Sequence, residues 1–235
     1  DKYGNVYLIG HTEGNFAGTS AGDKDIIIVK YNSSGKQIFK KQIGSSDEDK
    51  GYSIKIDKQC NIYILGTSKG EIISGTNNTG NEDIYLAKYS EDLSLLWEVQ
   101  VGTSEIDIAY DIELDSQNNV YLVGSSKGDL DAGGDEEHFG LEDIIIVKYN
   151  TNGVQQWIKQ HGTARIDIGV SIAIDDSDDL FLTGQTINTD GDSDILVFHL
   201  NSNNGESIAQ DTLASEDAVG NDYGYGIGVD NLGFL

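Results

Sequence analysis

Between Asp107 and Asp115 the chain alternates. Ile108, Tyr110, Ile112 and Leu114 fall on one face, and Ala109, Asp111, Glu113 and Asp115 on the other. A period of two marks a β-strand with one covered face. A short Ser-Gln-Asn link leads to NVYLVGSS, which is rich in β-branched and aromatic residues and interrupted by glycine. A long Gly/Asp-rich stretch follows, then DIIIVKYN from Asp143 to Asn150, a Thr-Asn-Gly turn, and VQQWIKQHG. The pattern predicts four strands of ordinary length, about five to eight residues each, with turn residues between them. A helical 3.6 period appears nowhere, and proline is absent.

The same unit is written four times. NVYLIG (Asn5–Gly10), NIYILG (Asn61–Gly66), NVYLVG (Asn119–Gly124) and DLFLTG (Asp179–Gly184) end on glycines spaced 56, 58 and 60 residues apart. A fixed period in this range signals units that bury their apolar faces only by packing on one another. Four antiparallel strands per unit, repeated radially, predict an all-β fold: a β-propeller made of four-stranded antiparallel blades. Residues 1–235 then read as a single propeller or propeller segment, with repeats at about 1–56, 57–114, 115–174 and 175–229 and the start of a fifth at 230–235. The first strand of each unit (GYSIKID from Gly51, GVSIAID from Gly169, GYGIGVD from Gly224) carries small residues on one face. That suits the crowded innermost position. The chain opens on a second strand and ends on a first strand expected over Asp222–Asp230. That strand either seals a four-bladed ring or begins the next blade of a larger one. The trailing Asn-Leu-Gly-Phe-Leu favours the second arrangement, and with it a longer parent chain or assembly.

Taken together, GNVYLIGHT, DIIIVKYNSSG, the Phe39, Trp97 or Trp157 strand ending in glycine, and D-x-GYSIKID resemble the SBBP-type β-propeller repeats of large bacterial and archaeal proteins, which are often secreted or surface-exposed. The resemblance covers almost the whole chain. It departs in the fourth unit, where VFHLN (Val197–Asn201) replaces VKYN and Ala209 stands at the tryptophan position. What the resemblance implies is an interaction scaffold at a cell surface or outside the cell, and it transfers no catalytic residue.

Composition narrows the partners. With 40 acidic against 15 basic residues the formal charge is −25. Such a field repels nucleic acid and anionic headgroups and attracts cations or basic partners. One cysteine, Cys60, excludes an internal disulfide, and no apolar run is long enough to predict a membrane span.

Two aspartates recur per unit. Asp25, Asp83, Asp143 and Asp194 precede the third strand, and Asp49, Asp107, Asp167 and Asp222 precede the first. Asp readily accepts loop N–H bonds, so the expectation is that both sets fix turns on one face. As a cation site, the strongest candidate is NTDGDSD, where Asp190, Asp192 and Asp194 alternate as in the first half of a calcium loop. Counted from Asp190, however, Ile195 replaces the sixth-position glycine and Asn201 the twelfth-position glutamate. Asp129, Asp131 and Asp135 form a looser group. Tyr31, Tyr89, Tyr149, Trp97 and Trp157 are expected to pack between blades, with both tryptophans largely buried. No Walker or zinc signature occurs, and no catalytic residue is assigned.

The loops between second and third strands are long and unlike one another, whereas the turns on the opposite face are short and nearly constant. A non-enzymatic scaffold presenting variable loops to a protein or surface glycan is therefore expected. The alternative is a lectin-like or carbohydrate-active domain, for which Phe16 and Phe139 are the aromatics available in those loops.

Overall fold

In the computed structural model, which describes residues 1–75, 81–131, 140–214 and 220–230, the alternation is realised as antiparallel sheets, and the described residues contain no helix. The chain divides into two compact units, Asp1–Ile108 and Ala109–Leu235. The first holds a three-stranded sheet of β1 (Val6–Thr12), β2 (Asp25–Tyr31) and β3 (Gln37–Ile43). It also holds a four-stranded sheet of β4 (Asp49–Ile56), β5 (Ile62–Ser68), β6 (Asp83–Tyr89) and β7 (Leu95–Val101). At the division β8 (Asp107–Leu114) begins the next sheet, completed by β9 (Val120–Ser126), β10 (Asp143–Tyr149) and β11 (Gln155–His161). The last sheet is β12 (Asp167–Ile174), β13 (Leu180–Ile187), β14 (Ser193–Leu200) and β15 (Ser207–Leu213). Strands are hydrogen-bonded in chain order in every sheet, so each is an up-and-down meander, the unit of a propeller blade.

Burial follows the apolar runs. β5, β6 and β9 are buried at every residue, because both their faces are covered, and this is why their sequences read as near-continuous hydrophobic stretches. β15 is exposed along its whole length. The apolar cores are assembled from more than one sheet. Ile26 and Ile28 of β2 cluster with Ile62, Ile64, Tyr85 and Ala87 of the following sheet. Val123 and Ile146 do the same with Leu182 and Phe198.

Adjacent sheets are held at two places. Gly51 pairs with Gly66 and Gly169 with Gly184, and a bulge follows each pair; such a bulge sharpens the local twist. A Cβ on Gly51 would lie 2.5 Å from Ile9 Cγ1 and 2.9 Å from the Gly10 carbonyl, and one on Gly169 would lie 2.5 Å from Val123 Cγ2. The first strand therefore approaches the preceding sheet as closely as backbone allows. Beside this contact the amides of Asp49 and Asp167 donate to the carbonyls of Lys24 and Glu142 at 2.8 and 2.7 Å. The expected strand over Asp222–Asp230 is not formed. That segment has no ladder, although the Asp222 amide still donates to Ser193 O at 2.6 Å and Gly224 still packs beside Thr183.

The short turns are fixed by a third set of aspartates. Asp57 Oδ1 accepts the amides of Gln59 and Asn61, while its Oδ2 accepts Asn61 Nδ2 and the Tyr63 hydroxyl. Asp115 repeats this with Gln117, Asn119 and Tyr121, and Asp1 with Tyr3, Asn5 and Tyr7. Asp175 keeps only the two backbone bonds.

The tryptophans are half-buried rather than largely buried. Each lies opposite a lysine, Trp97 across from Lys88 and Trp157 across from Lys148. Lysine and tryptophan share one tyrosine: Lys88 Nζ sits 4.7 Å from the Tyr63 ring centre, which lies 6.1 Å from Trp97 edge-on, and Lys148, Tyr121 and Trp157 repeat the group. The ring covers an outer cation–aromatic layer, so one face stays open to solvent. In the fourth sheet Phe181 stacks on His199 at 4.6 Å, with Ala209 opposite His199. The lost tryptophan and the VFHLN variation are thus one compensated change.

Two outcomes follow. Trp157→Ala should cost about half of the roughly 3–5 kcal/mol lost on truncating a fully buried aromatic, measured by urea unfolding; a full-sized loss would mean the ring is enclosed. Asp57→Ala, which strands several donors at a buried turn, should cost about 1–3 kcal/mol, and Asp175→Ala measurably less.

Candidate functional site: the loop face

The long loops between second and third strands spring from a repeated base. In each of the first three sheets one glutamine of the last strand reaches under the loop. Gln42 Oε1 accepts the amides of Phe16 and Ala17 at 2.8 and 2.9 Å, and its Nε2 donates to Gly14 O and to Asp25. Gln100 accepts from Ile72 and donates to Gly70 O, and Gln160 accepts from Leu130 and donates to Gly128 O. These glutamines were not singled out in the sequence. The signal was present as Q-x-G three residues after each Phe or Trp: Gln42-Gly44, Gln100-Gly102 and Gln160-Gly162. In the fourth sheet Thr212 takes this place, and the loop above it is a short hairpin turn.

Both repeated aspartate sets lie beneath this face, all buried but the half-buried Asp222. Asp25 Oδ2 accepts from the Ala21 amide, the Ser20 hydroxyl and Gln42. Asp49 accepts the Ser45 amide at 2.6 Å, and Asp107 and Asp167 accept those of Thr103 and Thr163. Their work is to fix turns. Asp25 and Asp49 converge over Gly44, where a Cβ would lie 2.0 Å from Asp25 Oδ1 and 3.0 Å from Asp49 Oδ2. Burial, with a smaller contribution from the Asp25 charge, pushes the Asp49 carboxyl above its ordinary range.

The rim above is charged. Glu48 is the hub of a cluster, bonded to Lys24, to Lys69 at 2.5 Å and to Lys50 at 3.3 Å. It joins two successive loops, because Lys24 and Lys69 belong to different ones. The hydrogen bonds from Lys24 and then Lys69 hold the Glu48 carboxyl down at about 2.

The candidate calcium residues have separate roles. Asn188 accepts the amides of Asp190 and Asp192 through its side chain, and its own amide donates to Asp192 O, closing a tight hairpin turn. Asp190 is exposed, Asp192 half-buried, and Asp194 is buried in β14 and accepts from Asn188 Nδ2 at 3.2 Å. Among the described residues no three His, Cys, Asp or Glu side chains converge as a metal centre. Asp129 and Asp131 lie at the start of the longest loop, and Asp135 and Phe139 fall outside the described residues. Phe16 is half-buried under Lys40 Nζ, 5.0 Å from its ring centre. Among the described residues no helix is long and apolar enough to cross a membrane.

The family model of the SBBP β-propeller repeat matches residues 96–131 and 156–192. The chain carries SBBP β-propeller repeats. Each match starts on the tryptophan-bearing strand and runs through the next two. Over 66% of its length the chain is 22% identical to the regulatory protein FlaEY of Caulobacter vibrioides, covering 18% of that protein. Over 61% of its length it is 25% identical to the uncharacterized WD repeat-containing protein L264 of Acanthamoeba polyphaga mimivirus, covering 12% of it. The chain thus spans less than a fifth of either relative.

The Glu48 cluster generates a pH dependence. A carboxylate depressed in the folded state contributes stability above its unfolded value, near 4.5, which is lost as pH falls through about 2. Glu48→Gln should therefore lower the urea midpoint at pH 7, and the deficit should shrink below pH 4.5 and vanish near pH 2. A deficit constant across that range would mean that the charge of Glu48 is not what stabilises.

Proposed function

We propose that this chain is a non-enzymatic propeller scaffold, at the cell surface or outside the cell, that presents its unlike second-to-third-strand loops to a protein or glycan partner. The supporting observation is the contrast built into each repeat. Loop bases are held by the same glutamine and aspartate in three sheets, while the tips share neither length nor sequence. A constant base under variable tips is the arrangement of recognition loops on a rigid frame. The Glu48 cluster couples neighbouring loops, so two tips can act as one surface. The similarity to a regulatory protein and to a WD repeat-containing protein supports a scaffold reading.

A carbohydrate-binding alternative draws support from the second unit. There Tyr223 and Tyr225 stack at 6.2 Å, both exposed, and with Tyr110 and Ile168 they line a cavity of about 320 Å³.

Photo-crosslinking decides between faces. A crosslinking side chain is placed in the full-length protein on intact cells, either at the loop positions Gly14 and Glu71 or at the opposite turns Ser34 and Asn152. Adducts are expected from the loop positions alone, and external protease should remove them. Equal crosslinking from both faces, or complete protection from protease, would overturn the proposal.

A further inference from the structure

Asp25 opens β2 at the end of the first long loop, Asp49 opens β4, and both are wholly buried, at 0% exposure. Their carboxyl groups are used differently. Asp25 Oδ2 takes every hydrogen bond that the side chain accepts: the Ala21 amide at 3.0 Å, the Ser20 hydroxyl at 3.1 Å and Gln42 Nε2 at 2.6 Å. Asp25 Oδ1 has no hydrogen-bond partner among the described residues. Asp49 uses both oxygens. Its Oδ2 accepts the Ser45 amide at 2.6 Å, and the Ser45 hydroxyl lies 3.0 Å from Oδ2 and 3.2 Å from Oδ1.

The oxygen without a donor lies beside the other acid. Asp25 Oδ1 and Asp49 Oδ2 both fall within 3.0 Å of the place a Gly44 Cβ would occupy, and the missing side chain is what lets them converge. Asp83 and Asp107 converge over Gly102 in the same way, so the pairing belongs to the repeat. Among the described residues no cation pairs with Asp25 or Asp49. Lys24, Lys50 and Lys69 are held by Glu48, and Lys40 and Lys41 of β3 donate to Phe16 O and Leu93 O. The other charges on these segments, Glu13, Asp23, Asp47 and Glu71, are further acids. Two adjoining buried carboxyl groups without a cation do not both ionise, and one keeps its proton. Burial, and after it the Asp25 charge, act on Asp49 in that direction.

We infer that Asp25 and Asp49 share one proton, carried on Asp25 Oδ1 and donated to Asp49, and that this proton fastens the first long loop to its base. Asp25 is the seat because its Oδ1 is left without a donor, whereas both Asp49 oxygens already accept. Asparagine would fit the surroundings of Asp25 as they stand: its carbonyl oxygen takes the three donors, and its amide nitrogen replaces the O–H. At Asp49 an amide would set its N–H groups against a Ser45 donor in either orientation.

The proton fixes the sign of a pH dependence. The folded chain holds it where an unfolded aspartate, of pKa about 3.9, has lost it, so the contribution of the pair to stability declines as pH rises above that value. Urea unfolding of wild type, Asp25→Asn and Asp49→Asn between pH 4 and 8 is the test. Asp25→Asn should gain on wild type as pH rises and match or exceed its midpoint at pH 7, whereas Asp49→Asn should unfold at lower urea throughout. In wild type the Asp25 carboxyl carbon should resonate as the acid at pH 6, and this NMR measurement carries the test if Asp25→Asn does not fold. The inference is overturned by a carboxylate resonance at pH 6, by an Asp25→Asn deficit that widens or stays constant with rising pH, or by Asp49→Asn being tolerated as well as Asp25→Asn.

Discussion

The rest of the structure depends on how closely one blade can approach the next. The middle strands of the sheets are strongly apolar, so a sheet is stable only when it packs against another. The first strand makes that approach possible by giving up side chain. At Gly51 and Gly169 a single added carbon would collide with the preceding sheet, and the bulge beside each glycine bends the strand inward. The aspartate that opens the same strand then fixes the distance through its amide. Shape and hydrogen bonding act within three residues of each other, which explains why D-x-G recurs at the head of the first strand.

Much of the acidity that dominates the composition is therefore structural. Three aspartates per repeat fix turns: one at the short turn, one before the third strand and one before the next first strand. Their carboxylates are spent on backbone amides, and many are buried. Fewer carboxylates are therefore free to touch a partner than the charge of −25 suggests. Where the repeat is followed most faithfully, the groove between blades is closed. Where the fourth unit departs from it, the groove opens.

The four-stranded unit, its period and its handling of small residues were legible in the sequence, since alternation and glycine placement report directly on strand faces and close approach. Half-burial of Trp97 and Trp157 was not legible. It depends on Lys88 and Lys148 lying directly across the ladder, which a linear pattern does not display. The glutamines under the loops were overlooked because a polar residue in an outer strand reads as solvent-facing, and only the spacing to the following glycine marks it. Asp190, Asp192 and Asp194 looked like one cluster because they alternate. The turn instead gives the organising role to Asn188, and β14 takes Asp194 inside. Asp222–Asp230 has a first strand's sequence and keeps its amide latch and glycine contact, but it forms no ladder. In this segment, sequence pattern determines packing against the previous blade more strongly than strand pairing.

Equilibrium urea unfolding of Gly169→Ala against Gly10→Ala tests the close-approach account most directly. Gly169 meets Val123 at 2.5 Å, whereas a Cβ on Gly10 meets nothing within 4 Å. Both changes add the same methyl group to a strand. If contact between blades is the governing constraint, Gly169→Ala should lose about 1–3 kcal/mol, as overpacking typically costs, and Gly10→Ala should lose none. Equal stability of the two variants would contradict it.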